Sequence, residues 1–261
     1  MRRSLTISAA PIIQASSFKF SEMFPNLVQA FSTRKGGFSE GPFRGLNLGL
    51  HSGDDKACVQ KNRSLFFKSL NISESRAVFP QQVHSCSVQA VSEPGTAAEC
   101  DALITNTKNL FLTIQTADCF PVFLFDPLKQ AAGIVHSGWR GTAQNITGRA
   151  VKLMSEIYAC SPDSIFAGIG PGVQQDCYQV DQTAADFFDN EFLTADGPGH
   201  FKLDVQGAVK KQLLDAGIPP KNLEIENTCT RCAEDLYYSY RRDGDKCGRM
   251  MGVIGIRSTH S

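Results

Sequence analysis

Two short apolar runs joined by a turn constrain the fold of this chain more than any other feature. Val122–Phe125 and Ala131–Val135 are apolar or small throughout. The segment Asp126–Lys129 between them contains aspartate and proline, residues that favour tight turns. The pattern predicts an antiparallel β-hairpin whose strands are buried on both faces.

The ends of this hairpin carry two residues that can bind a metal, Cys119 and His136. If Pro127 and Leu128 form the tip, the register pairs Cys119 with His136, with Cβ atoms roughly 4.5–5.5 Å apart on one face. A slip of one residue would send one of the two side chains to the opposite face. A thiolate and an imidazole placed in this way could hold one metal ion.

A third ligand is available in His84, which follows the apolar run 77–80 and ends a predicted strand. Two histidines and one cysteine are typical of an open catalytic zinc site, in which the fourth position is left for water or substrate. The alternative is that each is a packed core residue, because buried cysteine is common in protein cores. The other three of the five histidines are weaker candidates, since they lie in loops or beside the C-terminus: His51, His200 and His260.

Seven short segments between about residues 31 and 256 form a recognisable set of motifs. They are Phe31–Gly37, Leu46–Gly49, Gln82–His84, Thr116–Cys119, His136–Gly141, Ile169–Pro171 and Tyr240–Gly244. In content and in order along the chain they resemble the motifs of the polyphenol oxidoreductase/laccase-domain family, and seven motifs in register are far more specific than any one of them alone. Members of this family include bacterial proteins first named multicopper laccases and later purine nucleoside phosphorylases.

The resemblance implies that His84, Cys119 and His136 are the metal ligands, with zinc as the metal and copper as the alternative. It implies an α/β (α+β) fold, a layered sandwich of mixed β-sheets flanked by helices. It also implies a zinc-dependent purine nucleoside phosphorylase that acts on adenosine, inosine, guanosine and methylthioadenosine and also deaminates adenosine. The expected small-molecule partners are therefore purine nucleosides and phosphate.

Several residues beside the proposed metal ligands could bind anions or substrate. Arg34 stands before two glycines whose N–H groups can turn toward an anion, and Arg140 precedes a predicted helix N-terminus. The alternative for each arginine is a solvated surface position. Arg241 is a further phosphate candidate, Asn47 a substrate hydrogen-bonding candidate, and Asp118 a candidate to orient a ligand or transfer a proton. The catalytic set predicted from the sequence is thus Cys119, His84, His136, Asp118 and Arg140.

The chain departs from the family pattern at Gln179. Members often carry a glutamate there, so this chain lacks a carboxylate that could act as a base. Cys229 and Cys232 have the spacing of half a structural zinc site. No second such pair exists in the chain, and we therefore expect these two cysteines to be packing residues.

Length and composition indicate one catalytic domain over residues 1–261, with an N-terminal extension over 1–25. The chain has 26 lysines and arginines and 26 aspartates and glutamates, so its net charge does not favour binding to nucleic acid or to an anionic membrane. Nine irregularly spaced cysteines do not resemble a disulfide framework and indicate a reducing cytoplasm. Pro11 interrupts the N-terminal apolar stretch too early for a secretory signal. We expect a monomer or a homodimer.

Two other functional classes compete with the phosphorylase. The first is a copper-dependent, laccase-like polyphenol oxidase, but an ordinary laccase needs many more histidines than the five present. The second is a hydrolase that uses Cys119 as the nucleophile with a histidine, linked to the editing of peptidoglycan precursors. A zinc deaminase of the His-x-Glu and Pro-Cys-x-x-Cys type is excluded, because neither motif occurs.

Hydrophobic periodicity and turn residues predict the order of the secondary-structure elements. We predict helices over 54–70, 142–158, 181–190 and 204–216, and strands over 28–32, 77–79, 87–91, 102–105, 110–115, 122–125, 131–135, 165–169, 223–226 and 250–256.

Overall fold

Two six-stranded sheets form the body of the protein. The computed structural model describes residues 14–258. Pro11 and His260, which entered the sequence predictions, lie outside these residues. Within them, no helix is long and apolar enough to cross a membrane.

The first sheet combines neighbours that are far apart in sequence. It contains β1 (Ala15–Ser16), β2 (Leu27–Ser32), β3 (Ala77–Pro80), β5 (Gly95–Ala97), β7 (Phe111–Thr116) and β15 (Met250–Ile256), in the order β1-β2-β15-β7-β3-β5.

The second sheet is built around the predicted hairpin. It contains β4 (Val88–Ala90), β6 (Ala102–Thr105), β8 (Phe120–Asp126), β9 (Ala131–Ser137), β10 (Phe166–Ile169) and β14 (Leu223–Ile225), in the order β14-β10-β8-β9-β6-β4. A third, three-stranded sheet has the order β11-β13-β12 and contains β11 (Gln179–Asp181), β12 (Leu193–Ala195) and β13 (His200–Leu203).

The helices are short or amphipathic, and several begin at an aspartate whose side chain caps the first turn. Asp204, for example, accepts a hydrogen bond from the Gly207 amide and starts α6. The helices are α1 (Lys19–Glu22), α2 (Lys56–Ser69), α3 (Trp139–Ala143), α4 (Ile146–Tyr158), α5 (Gln182–Ala185), α6 (Val205–Asp215) and α7 (Tyr240–Asp243).

Apolar side chains arrange these elements in four layers. Phe31 of the first sheet and Phe123 of the second belong to one buried cluster between the two sheets. Phe66 of α2 covers the outer face of the first sheet. Met154 of α4 and Leu213 of α6 cover the outer face of the second sheet. The central strands are therefore buried on both faces, which explains why their sequences are apolar without alternation.

The layered sandwich of mixed sheets flanked by helices confirms the predicted fold class. The strands over 102–105 and 250–256 have the predicted bounds. The predicted helix over 181–190 is wrong beyond Ala185. The predicted helix over 142–158 is broken at Asn145, whose φ of 58° is left-handed. The predicted strands over 28–32 and 110–115 are each shifted or extended by one residue.

The hairpin forms, but its predicted register is wrong by two residues. His136 pairs with Pro121 instead of Cys119, and Phe120 pairs with Ser137. The reason is a longer loop, since the last pair is Asp126 with Ala131 and four residues connect them. Cys119 consequently precedes β8 and is not part of the ladder.

Phe123→Ala should lower the free energy of unfolding by about 3–5 kcal/mol, because the ring is fully buried between the two sheets. Leu128→Ala is the matched control. Leu128 is 78% exposed at the hairpin loop, and its truncation should change stability by no more than ~0.5 kcal/mol. Chemical denaturation of both variants tests the prediction, and equal losses would contradict the proposed packing.

Candidate metal and substrate site

Three segments bring His84, Cys119 and His136 together at one end of the sandwich. His84 lies in the loop between β3 and β4, Cys119 directly precedes β8, and His136 lies near the end of β9. Their ligand atoms all lie within 4.8 Å of one another. The two imidazole rings are 4.9 Å apart and nearly perpendicular. The triad predicted from residue types is therefore assembled, even though the predicted register was wrong.

Backbone geometry at this end of the sheets is unusual for residues with side chains. Asp118 has a φ of 98° and His84 a φ of 58°, conformations that cost free energy and cluster at functional sites. Gly138 makes room for the triad. A Cβ atom there would lie 2.9 Å from the Cys119 sulfur and 3.4 Å from Cδ2 of His84.

Asp101 holds two of the three candidate ligands in place. Its fully buried carboxylate accepts a hydrogen bond of 2.8 Å from Nδ1 of His136. It also accepts hydrogen bonds from the backbone amides of Val83, His84 and Ser85 and from the Ser85 hydroxyl. Because an ionised carboxylate only accepts hydrogen bonds, His136 carries its proton on Nδ1. Nε2 is then the nitrogen that can bind a metal, once metal binding displaces the proton it carries in the imidazolium form.

The charges of Asp101, His136 and Cys119 stabilise one another. Burial opposes ionisation of the Cys119 thiol, but the adjacent His136 and His84 outweigh it and lower its pKa to about 6. Burial also opposes protonation of His136, but Cys119 and Asp101 raise its pKa to about 9. Despite burial, hydrogen bonds from His136 and Ser85 lower the pKa of Asp101 to about 2. The thiol is thus held toward the thiolate form in which cysteine binds metals.

The donor set fits a metal ion. One thiolate and two imidazoles are the ligands of open zinc sites, and a carboxylate bonded to the far nitrogen of a ligand histidine is a recurrent partner. The site is accessible from one side, since His84 is exposed while His136 is only 4% exposed. These three residues could therefore hold an ion that solvent or a substrate can reach.

Arg140 lies on the exposed side of α3, two residues after Gly138. Its guanidinium stacks on the Trp139 ring at 4.4 Å. Among the described residues its side chain makes no hydrogen bond or ion pair, so its N–H groups remain available to an anion.

Arg241 and Tyr178 form a second group of side chains near the candidate ligands, here called the Tyr178 wall. Its guanidinium lies 4.8 Å from the Tyr178 ring and donates to the Gln179 carbonyl at 2.9 Å. Burial, followed by the charge of Cys119, raises the pKa of the Tyr178 phenol well above its usual value. The phenol therefore stays neutral, and Cys119 lies close enough to affect it. The Gln179 amide donates to Asp196, away from the triad.

Asp118, the residue before Cys119, links the Tyr178 wall to the candidate metal ligands through hydrogen bonds. Its carboxylate accepts hydrogen bonds from the Thr230 hydroxyl at 2.7 Å and from the Arg241 backbone amide at 2.6 Å. The carboxylate that hydrogen-bonds a candidate ligand is that of Asp101, and the predicted role of Asp118 in orienting a ligand or transferring a proton stays a prediction. Arg242 donates to the carbonyls of Thr230, Arg231 and Tyr237, so it braces the same loop.

Arg34 and Asn47 are engaged within the protein. Arg34 donates to the carbonyls of Arg44 and Glu234 and stacks on the Tyr238 ring at 4.5 Å. Asn47 is fully buried and uses all four of its hydrogen-bonding positions. Its partners are the Ser52 hydroxyl, the Asp54 carboxylate and the amides of Gly49 and Arg249.

Comparison with known proteins decides the family. A family model described as multi-copper polyphenol oxidoreductase laccase matches residues 28–257. The chain belongs to this laccase-domain family. The match contains all three candidate ligands together with Asp101, Arg140 and Arg241.

Relatives within the laccase-domain family carry two kinds of enzyme name. The chain is 35% identical over 247 residues to purine nucleoside phosphorylase YlmD of Bacillus subtilis strain 168, covering 88% of this chain and 89% of that protein. It is 31% identical to adenosine deaminase RL5 from an unknown prokaryotic organism, covering 85% of this chain and 91% of that protein. The crystal structure of YlmD from Geobacillus stearothermophilus aligns with a TM-score of 0.86 at 34% identity, covering 90% and 93% of the two chains.

His84→Ala, Cys119→Ala and His136→Ala should each reduce the bound metal by one equivalent, because a site with three protein ligands tolerates no missing ligand well. Metal analysis of each purified variant against the parent protein measures the loss. Cys58→Ser on α2 is the control, since this free cysteine lies outside the site. Full retention by two of the three variants would contradict the ligand assignment.

Asp101→Ala should weaken metal binding by about 10–100-fold without removing a ligand, because the carboxylate orients His136 and the loop that carries His84. Competition with a chelator measures the affinity. Glu93→Ala removes an exposed carboxylate elsewhere and should leave the affinity unchanged. Parental affinity in Asp101→Ala would exclude this positioning role.

Proposed function

We propose that this chain is a zinc-dependent purine nucleoside phosphorylase that acts on adenosine, inosine, guanosine and methylthioadenosine and also deaminates adenosine. The observation that carries the proposal is the three-donor site, open on one side and flanked by two exposed arginines. The names of the relatives, purine nucleoside phosphorylase and adenosine deaminase, support the same reaction classes.

The choice of zinc follows from the donors. Nitrogen and sulfur ligands suit zinc, whereas magnesium and calcium prefer oxygen. Zinc bound by His84, Cys119 and His136 would supply Lewis-acid chemistry, stabilising negative charge on a substrate or water oxygen. Copper is the alternative metal for the same donors.

The arginines are proposed to bind phosphate. Arg140 follows Gly138, which packs against Cys119 and His84, and its guanidinium lies over the Trp139 ring. The Arg241 guanidinium lies over the Tyr178 ring, and the Arg241 amide donates to Asp118, the residue before Cys119. A guanidinium binds a phosphate oxygen through charge-assisted hydrogen bonds. Arg34, whose outer nitrogens donate to two carbonyls, contributes positive charge and loop support instead of direct contact.

Two aromatic side chains on the side of Arg140 suit a purine nucleoside. Trp139 and the exposed Phe187 have ring centres 6.1 Å apart, and they offer apolar surfaces on which a base can stack. Phosphorolysis joins a phosphate oxygen to C1′ of the ribose and breaks the bond between C1′ and the base. The base leaves with the bonding electrons and takes up a proton, and the neutral Tyr178 phenol can donate a hydrogen bond to the substrate.

Two competing functions use the same residues. A Cys119 hydrolase linked to peptidoglycan precursors is favoured by the thiol pKa of about 6, and it would work without metal. A copper polyphenol oxidase is suggested by the description of the family model. Oxidation of phenols by a multicopper cluster is disfavoured, because the whole chain has five histidines.

The proposal is tested by incubating zinc-loaded protein with inosine or adenosine, with and without phosphate. Inosine should give free base and ribose 1-phosphate only when phosphate is present, with no oxygen uptake. Adenosine should in addition give inosine without phosphate, because deamination consumes water. Phenol oxidation that scales with copper bound at the triad, with no base released from any purine nucleoside, would reverse the order of the two functions.

Arg140→Ala should raise the KM for phosphate by about 10–100-fold with zinc still bound, because a hydrogen bond to a charged group contributes about 1.5–3 kcal/mol. Arg76→Ala is the matched control. Arg76 is an exposed arginine just before β3 that donates to the Asn109 carbonyl. Initial rates at varied phosphate measure the effect. Parental phosphate kinetics in Arg140→Ala would remove this residue from the phosphate site.

A further inference from the structure

Three cysteines meet outside the candidate active site. Cys177, Cys229 and Cys232 have sulfur atoms that all lie within 4.8 Å of one another, and those of Cys177 and Cys232 are 3.3 Å apart. All three are free thiols. The sequence indicated only Cys229 and Cys232, because Cys177 comes from a distant segment. From the sequence, Cys229 and Cys232 were expected to be packing residues, and the nearby third thiol of Cys177 was not foreseen.

The backbone places these cysteines side by side. Gly172 forms an isolated parallel bridge with Cys229, and its carbonyl accepts the Thr230 amide at 3.1 Å. The Gln174 amide donates to the Cys229 sulfur at 3.4 Å. The segment 172–178 therefore runs along the segment 228–232, and Cys177 reaches the other two thiols across this contact.

The local charge suits thiolates. Arg231 Nη1 lies 3.5 Å from the Cys177 sulfur, and the amide hydrogen bond to Cys229 also favours a negative sulfur. Cys232 is exposed and the other two are partly exposed. An ion can therefore enter from solvent, and water can complete its coordination.

We propose that Cys177, Cys229 and Cys232 form a second metal site, a three-thiolate site for a thiophilic ion such as Zn²⁺. Zinc–sulfur bonds of about 2.3 Å place two tetrahedral ligand sulfurs ~3.8 Å apart, which small side-chain rotations can reach from the observed spacing. Three S–H protons pass to the buffer as three metal–sulfur bonds form, and no oxidation takes place.

The second site would join two loops that form the wall of the first. Tyr178 follows Cys177 directly and supports the Arg241 guanidinium. Thr230 follows Cys229 directly and donates to Asp118. Metal binding at the three cysteines would therefore add to the few hydrogen bonds that join these two loops and would stabilise their arrangement. This proposal does not depend on the reaction catalysed at the first site.

The test uses the full chain carrying Cys119→Ala, which disables the first site. Fully reduced, metal-free protein is titrated with Zn²⁺ against a chromophoric chelator, and with Co²⁺, whose thiolate complexes absorb in the near ultraviolet. We expect one equivalent of tightly bound metal and a thiolate-to-cobalt band. Adding Cys232→Ser or Cys177→Ser should abolish both signals, and adding Cys58→Ser should leave both unchanged.

A second measurement does not require the Cys119 variant. The otherwise unmodified chain should bind two equivalents of zinc, and Cys232→Ser, an exposed substitution, should bind one. The proposal is overturned if the reduced chain carrying Cys119→Ala binds no zinc. It is equally overturned if the bound zinc is indifferent to both Cys177→Ser and Cys232→Ser.

Discussion

The buried carboxylate of Asp101 is the group on which the candidate site depends. It accepts five hydrogen bonds, four from the segment 83–85 and one from His136. One side chain thereby positions two of the three candidate metal ligands. Removing it would leave the buried Nδ1 donor of His136 without its partner, at a cost of about 1–3 kcal/mol. The pairing of β6 with β9 explains why it is there, since the His136 amide also donates to the Asp101 carbonyl.

Much of the fold could be predicted from local sequence, because its central strands are buried on both faces and are therefore continuous apolar runs. The strands over 102–105 and 250–256 are examples. The third sheet was missed because its short strands mix polar and apolar residues. The break before α4 was missed for another reason. It depends on a left-handed Asn145, a local conformation that hydrophobic periodicity does not report.

The candidate site was predictable in its ligand types but not in its supporting contacts. His84, Cys119 and His136 stand in specific motifs, so residue chemistry and family resemblance were sufficient to select them. Asp101 has no such signal beyond a carboxylate just before a predicted strand, and its partners are remote in sequence. Cys177 was missed for the same reason. Contacts that depend on loop length and register, as the two-residue shift of the hairpin shows, require the folded chain.

The central claim is that nucleoside cleavage depends on a metal held by His84, Cys119 and His136. The most direct measurement is phosphate-dependent release of base from inosine as zinc is returned to metal-free protein, for the parent chain and for His84→Ala. His84→Ala leaves the Cys119 and His136 pair intact, so it separates metal chemistry from a cysteine nucleophile. Metal-free parent protein should be inactive and recover with zinc, whereas His84→Ala should stay inactive. Cleavage at the parental rate by metal-free protein or by His84→Ala would contradict the claim.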